Sequence, residues 1–262
     1  MSFVRSEDGG VPVLRIRPLE EAGCLALFTL RPLGFAPGPL HTADEVRQAR
    51  AALTLACLSR PAVVVRQVHG TTVLPAGPMP GADPHAPDAG EWSLLGEADG
   101  MVTGQPGLPL AVFCADCAPV YLYDPTRRVV ALLHAGWRGT VGGVVERGLE
   151  AMGAVAGTRP ADVLAAIGPA IGGCCYQVGE DVRARVEARL GEEARRVLER
   201  REGKLYLDLA GTISLLLQRA GVPASRVYRA GLCTACHPDL FWSHRRDGGV
   251  TGRMAAVLAR RT

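Results

Sequence analysis

Cys117 and His134 flank the segment Asp124-Pro-Thr-Arg127, which reads as the turn of a β-hairpin between two apolar runs, 118–124 (APVYLYD) and 128–134 (RVVALLH). With Pro125 and Thr126 as the central turn residues, Asp124 pairs with Arg127 and Cys117 with His134. The two side chains then share one face of a sheet, with Cβ atoms about 4.5 to 5.5 Å apart. Proline at the first central position implies a type I turn, which suits a two-residue hairpin less well than the primed turns do. Histidine and cysteine are common zinc ligands, and a catalytic zinc keeps three protein ligands and leaves its fourth position to water or substrate. His69, at the exit of the valine-rich run 62–68 (AVVVRQV), is the third candidate. Two other uses of these residues stay open. The histidines would serve equally as strand ends bonded to backbone, and Cys117 as a nucleophile with His134 as its base and Asp116 or another carboxylate as orienter.

Eight cysteines in a chain of 262 residues do not suggest a disulfide framework, because a chain this long and apolar needs no such staples. Cys24 and Cys57 read as core residues. The other six fall in close pairs, Cys114/Cys117, Cys174/Cys175 and Cys233/Cys236. Joining Cys114/Cys117 to Cys233/Cys236 would make a four-cysteine structural zinc. Against that reading, the pairs are more than a hundred residues apart, the first begins inside an apolar strand, and strand alternation turns Cys114 and Cys117 in different directions.

The elements that must position these residues alternate between strand and helix. Strands are expected at 24–30 (CLALFTL), 62–68, 110–114 (LAVFC), along both arms of the hairpin, at 163–168 (VLAAIG), near 226–230 and near 254–258. Helices are expected over 43–58, after Gly139 with apolar residues at Val141, Val144, Val145, Leu149 and Met152, from about Glu180, and from an Asp208 cap through Ala220. Thr140 is the expected cap of the helix after Gly139. From Pro75 to about Gly100 the chain is dense in Pro, Gly and Asp without periodicity, which reads as a long surface excursion and lid, with His85 solvated inside it. Hairpins together with crossovers imply an α/β protein with mixed sheets, and neither a repeat nor a linker divides residues 1–262, so one domain is expected.

Composition narrows the function classes. The net charge is only +3, and Lys204 is the sole lysine among scattered arginines, so no basic stripe suits nucleic acid. The first ten residues lack the apolar core of a secretory signal, and no run approaches the roughly 20 apolar residues of a membrane span. The expectation is a cytoplasmic monomer acting on small molecules, with neither nucleic-acid nor membrane partners.

Six motifs in order carry a resemblance: Gln67-Val-His-Gly70, Ala98-Asp-Gly-Met-Val-Thr103, Ala115-Asp-Cys117, His134-Ala-Gly-Trp-Arg-Gly139, Ile167-Gly-Pro-Ala-Ile-Gly172, and Ser243-His-Arg-Arg-Asp247 with Thr251-Gly-Arg-Met254. Together they resemble the polyphenol-oxidase or laccase-domain family, now regarded as purine nucleoside phosphorylases. The resemblance implies a four-layer α/β/β/α fold and one zinc held by His69, Cys117 and His134, with copper as the alternative metal. It also implies phosphorolysis of adenosine, inosine, guanosine and methylthioadenosine, and deamination of adenosine, for which zinc activates the attacking water in other deaminases. Asp116 would then shuttle the proton. Arg138, at the start of the helix after Trp137, would bind phosphate together with that helix N-terminus. Arg31 would contact substrate, although the segment 32–42 departs from the family pattern, as do Cys236, His237 and His244. The older family label, a copper-dependent polyphenol oxidase, fits less well. Taking oxygen to water needs several coppers, and the chain lacks the repeated His-x-His pairs that would hold them.

Overall fold

A computed structural model describes residues 2–58, 60–77 and 91–262 of the chain. Its frame is two mixed β-sheets. The seven-stranded sheet takes β1 (Phe3–Asp8), β2 (Val11–Ile16), β3 (Cys24–Thr29), β16 (Met254–Arg260), β8 (Leu110–Cys114), β4 (Val63–Arg66) and β6 (Ser93–Glu97), in that spatial order. The six-stranded sheet runs β15 (Val227–Arg229), β11 (Leu164–Ile167), β9 (Ala118–Asp124), β10 (Val129–Ala135), β7 (Gly100–Thr103) and β5 (Val73–Pro75). A small third sheet joins β12 (Gln177–Val178), β13 (Leu198–Arg201) and β14 (Lys204–Leu207).

Strand alternation sorts the apolar side chains into layers. Phe28, Val112, Ala256 and Leu258 from one sheet meet Tyr121, Tyr123, Val130 and Leu132 from the other in a core buried between the two. Their neighbours point outward. Leu27, Ala111 and Val257 face α2 (Ala43–Leu53) through Ala49 and Leu53. Val120, Leu122, Ala131 and Leu133 face α4 (Val144–Ala156) and α6 (Leu209–Arg219) through Leu149, Met152, Ile213 and Leu217. The order helix, sheet, sheet, helix is the expected four-layer α/β/β/α arrangement, and the sheets are mixed as expected. Further helices are α1 (Arg17–Glu21), α3 (Trp137–Gly142) and α5 (Glu180–Leu190).

Local chemistry sets the element ends. Thr42 and Glu45 form a reciprocal capping box at the start of α2, and Asp208 accepts from the Gly211 N–H to cap α6. Three expectations are corrected. The hairpin pairs Asp124 with Val129 and His134 with Pro119, because Pro125 to Arg128 form a four-residue connection. Asp124 Oδ1 accepts from the N–H groups of Thr126 and Arg127, and Arg128 closes the turn in the left-handed region at φ 55°. The helix after Gly139 is broken by Gly143 at φ 101°, so Gly136 and Gly143 occupy the N-cap positions and the buried Thr140 caps nothing. The 75–100 excursion contains β6, which pairs in parallel with β4. His85 lies outside the described residues.

Candidate active site

The chain leaves β4 at Arg66 and turns through His69 at φ 60°, a left-handed conformation uncommon for a residue with a Cβ. Asp99 holds that turn. Its buried carboxylate accepts the backbone N–H groups of Val68 (3.2 Å), His69 (3.0 Å) and Gly70 (2.5 Å). The same carboxylate lies 2.8 Å from His134 Nδ1, and the His134 N–H donates to the Asp99 carbonyl at 2.7 Å. A carboxylate only accepts, so Nδ1 carries a proton and Nε2 is turned toward Cys117. Burial pushes the Asp99 carboxyl up, but the bonds from His134, Gly70 and Val68 outweigh it and hold the group below its ordinary range.

Cys117 enters from the turn between β8 and β9, where Asp116 adopts φ 91°. The donor atoms of His69, Cys117 and His134 lie within 4.8 Å of one another, and the two imidazole rings meet edge to face at 5.0 Å. Burial alone would raise the Cys117 thiol, yet the charge and hydrogen bonds of His134 and His69 bring it down to about 6. His134 moves the other way. Burial lowers it, and the Cys117 thiolate and Asp99 carboxylate carry it up to about 9. Without a metal, the pair is therefore a thiolate facing an imidazolium at neutral pH. Gly136 makes room for the group: a Cβ there would stand 3.0 Å from Cys117 Sγ and 3.2 Å from His69 Cδ2.

Two imidazoles and one thiolate, with the Asp99 carboxylate holding the His134 ring and with an open side, fit a three-ligand metal centre. Zinc and copper both accept this donor set. The open side faces a cleft of about 690 Å³ lined by Phe113, Trp137 and Tyr176 and by Arg66, Arg245, Arg253 and His244. That size and the mixture of aromatic rings with a few polar groups suit a small organic ligand.

The other sequence-chosen residues fall in different places. Asp116 lines the cleft, but both its oxygens are engaged: Oδ1 accepts from the Thr234 hydroxyl at 2.5 Å and Oδ2 from the Arg245 N–H at 2.7 Å. Arg138 is exposed and stacks on Trp137 at 4.6 Å, outside the cleft lining. The short α3, where it sits, begins at Gly136 without a side-chain cap. Arg31 is not in the cleft lining either. It donates to the Pro238 carbonyl and lies 3.9 Å over the Trp242 ring. Sequence reasoning missed Asp99, Arg245 and Arg253, although each stands inside a motif it had singled out. Their signal was position within a motif, and only the folded backbone shows which member turns inward.

A family model described as multi-copper polyphenol oxidoreductase laccase matches residues 36–261. The chain belongs to that family. A protein of Deinococcus radiodurans named purine nucleoside phosphorylase is 40% identical over 95% of this chain and 93% of its own length. A Streptomyces griseus protein of the same name, ORF3, is 37% identical over 86% of this chain and 85% of its own. The crystal structure of YlmD from Geobacillus stearothermophilus superposes with a TM-score of 0.84 at 34% identity, covering 100% of this chain and 99% of that one. Membership in the laccase family and homologues named as phosphorylases both support an enzyme.

Proposed function

We propose that this laccase-family chain is a zinc-dependent purine nucleoside phosphorylase that also deaminates adenosine. The observation that carries the reading is the triad of donors, His69, Cys117 and His134, fixed by one buried carboxylate at the floor of a cleft sized for a nucleoside. Zinc held there would supply a Lewis acid able to polarise a substrate oxygen or activate a water. Zinc is preferred to a copper electron-transfer centre because such a centre uses a long axial methionine or glutamine: among the described residues the cleft lining holds no methionine, and the amide of Gln67, which does line it, is bonded at both ends to the Phe113 backbone.

The chain's own residues supply the rest. Asp99 keeps His134 in one tautomer, so the donor set is preorganised before substrate arrives. Phe113, Trp137 and Tyr176 offer faces for a purine ring. Arg245 and Arg253 offer cationic partners for phosphate, whose oxygen attacks ribose C1′ as the bond to the purine nitrogen breaks. Asp116 retains a free lone pair on each oxygen beside Cys117, which suits it to hold the proton passed to the departing base.

The deciding experiment incubates zinc-loaded protein with adenosine, with and without phosphate, and measures adenine, hypoxanthine, ammonia and ribose 1-phosphate. Phosphate-dependent base release is the expected result. Silence toward nucleosides together with copper-dependent oxidation of phenols would replace this reading with the older one. A second reading has its own observation. Cys117, His134 and Asp99 also form a nucleophile, base and orienter in line, as in a cysteine hydrolase. His69 has no part in such a triad, and activity that survives complete chelation would favour it.

A further inference from the structure

Away from the cleft floor, the sequence pairs Cys174/Cys175 and Cys233/Cys236 come together. Cys174 and Cys175 end the loop after β11, and Cys233 and Cys236 lie in the loop after β15. All four sulfurs lie within 4.8 Å of one another. Cys236 Sγ is 3.5 Å from Cys174 Sγ and 3.3 Å from Cys175 Sγ, and every cysteine in the chain is a free thiol. The alternative pairing that the sequence disfavours, Cys114/Cys117 with Cys233/Cys236, does not occur. Cys114 is buried in β8, and Cys117 belongs to the histidine centre.

We propose that these four thiols bind one zinc ion in a closed structural site, distinct from the His69–Cys117–His134 centre. Four thiolates around a tetrahedral zinc, with Zn–S near 2.3 Å, stand about 3.8 Å apart along each edge. The sulfurs already cluster at that scale, with Cys236 near two partners at once. The backbone is shaped for sulfur as well. The Gly172 N–H donates to Cys233 Sγ at 3.2 Å, as amides around bound thiolates do. A Cβ at Gly172 would stand 3.1 Å from Cys174 Sγ and 3.2 Å from Cys233 Cβ, so this close approach needs glycine. The Arg201 guanidinium donates to the carbonyl of Gly173, the residue before Cys174. Soft thiolates in a set of four select zinc or iron over harder cations, and a closed site with no open position does structural work.

The ion would clamp two loops that build the cleft wall. The first carries Ile171 and Tyr176 into the cleft. The second carries Thr234, whose hydroxyl holds Asp116. Between them the backbone makes only a short bridge, Ala170 N–H to the Leu232 carbonyl and Thr234 N–H to the Ala170 carbonyl.

Metal content of the full chain, purified from zinc-supplemented medium without chelator, tests this. Two zinc ions per chain are expected in the wild type, about one in Cys117→Ser, and about one in Cys174→Ser/Cys236→Ser. The two variants lose different ions, so failure of the proposed activity would leave this result standing. A wild type with one zinc that only Cys117→Ser removes would overturn the proposal, as would iron in place of the second zinc. Should the double variant fail to fold, thiol titration of the wild type decides. Cys174 and Cys236 are exposed, yet should resist a thiol reagent until a chelator is added and then react as zinc is released. Immediate reaction without zinc release, or an intact mass showing these thiols oxidised to disulfides, would overturn it.

Discussion

Asp99 ties the two histidines together, because one carboxylate serves three backbone N–H groups around His69 and the ring of His134. Asp99→Asn keeps the volume but replaces the acceptor facing His134 Nδ1 with an amide that can also donate. Zinc affinity should fall roughly 10- to 100-fold, the usual loss when the group that orients a ligating histidine is removed. A competitive chelator titration reads this directly, and unchanged affinity would show that His134 needs no orienter. The opposed shifts of Cys117, down to about 6, and His134, up to about 9, make a second prediction. Between those values the free protein holds a thiolate and an imidazolium, so zinc displaces one proton, from His134 Nε2, and its affinity should rise about tenfold per pH unit. Below the Cys117 value a second proton of this pair must leave, from the thiol, and above the His134 value the pair releases none, so its contribution to the slope steepens and then vanishes. Calorimetry in buffers of differing ionisation enthalpy would count the protons, and a count of zero at neutral pH would refute the ion pair.

At the scale of elements, the site depends on where strands stop. The chain pairs Ala118 with Ala135 at the last rung of β9 and β10, so Cys117 stands just beyond the ladder, near Gly136. Gly136 has an ordinary extended backbone, φ −74° and ψ 169°, so Gly136→Ala adds a methyl group without backbone strain. That methyl presses on Cys117 Sγ and the His69 ring. Turnover and zinc affinity should fall by about 10- to 100-fold, since displacement of catalytic groups by a fraction of an ångström to an ångström costs on this order. The thermal midpoint should stay within a few degrees, and a large drop in it would place the methyl group in the core instead. This strand end also shows what the sequence could reveal. Alternation of apolar residues located β9 and β10, and the facing of Cys117 and His134 followed from counting. The register was off by two because the turn's length depends on Asp124 accepting two N–H groups and on Arg128 taking a left-handed conformation, neither of which periodicity records. A shift of two preserves which face a side chain takes, so the neighbourhood was legible although the rung was not. Gly143 was harder, for nothing in the apolar spacing distinguishes one long helix from two that meet at a glycine.

For the whole molecule, layering was readable and its fastening was not. Runs such as LAVFC and APVYLYD announce strands covered on both faces, and helices with one apolar face must cover them. Which sheet each strand joins is decided by distant partners: β8 pairs with β16 and β4, whereas β9, only a turn away, crosses to the other sheet. Cys117 lies in that crossing, so the relative position of the two sheets sets the position of the site. Tyr121 fastens them. It is fully buried in β9, and its hydroxyl crosses the inter-sheet core to donate to the Leu27 carbonyl in β3 at 2.8 Å. Tyr121→Phe keeps the ring and its packing and removes this one bond, which should cost about 0.5–1.5 kcal/mol, more if the carbonyl is left without a donor. The thermal midpoint should fall by roughly 2–4 °C for each kcal/mol in a chain of this size. Zinc content and turnover should be unchanged if the apolar core alone holds the sheets in place. Urea unfolding and a nucleoside assay on the same preparation separate the possibilities. Lower stability with full activity would make Tyr121 a fastener only. A loss of activity well beyond the loss of folded protein would show instead that the bond sets the sheet offset on which Cys117 depends.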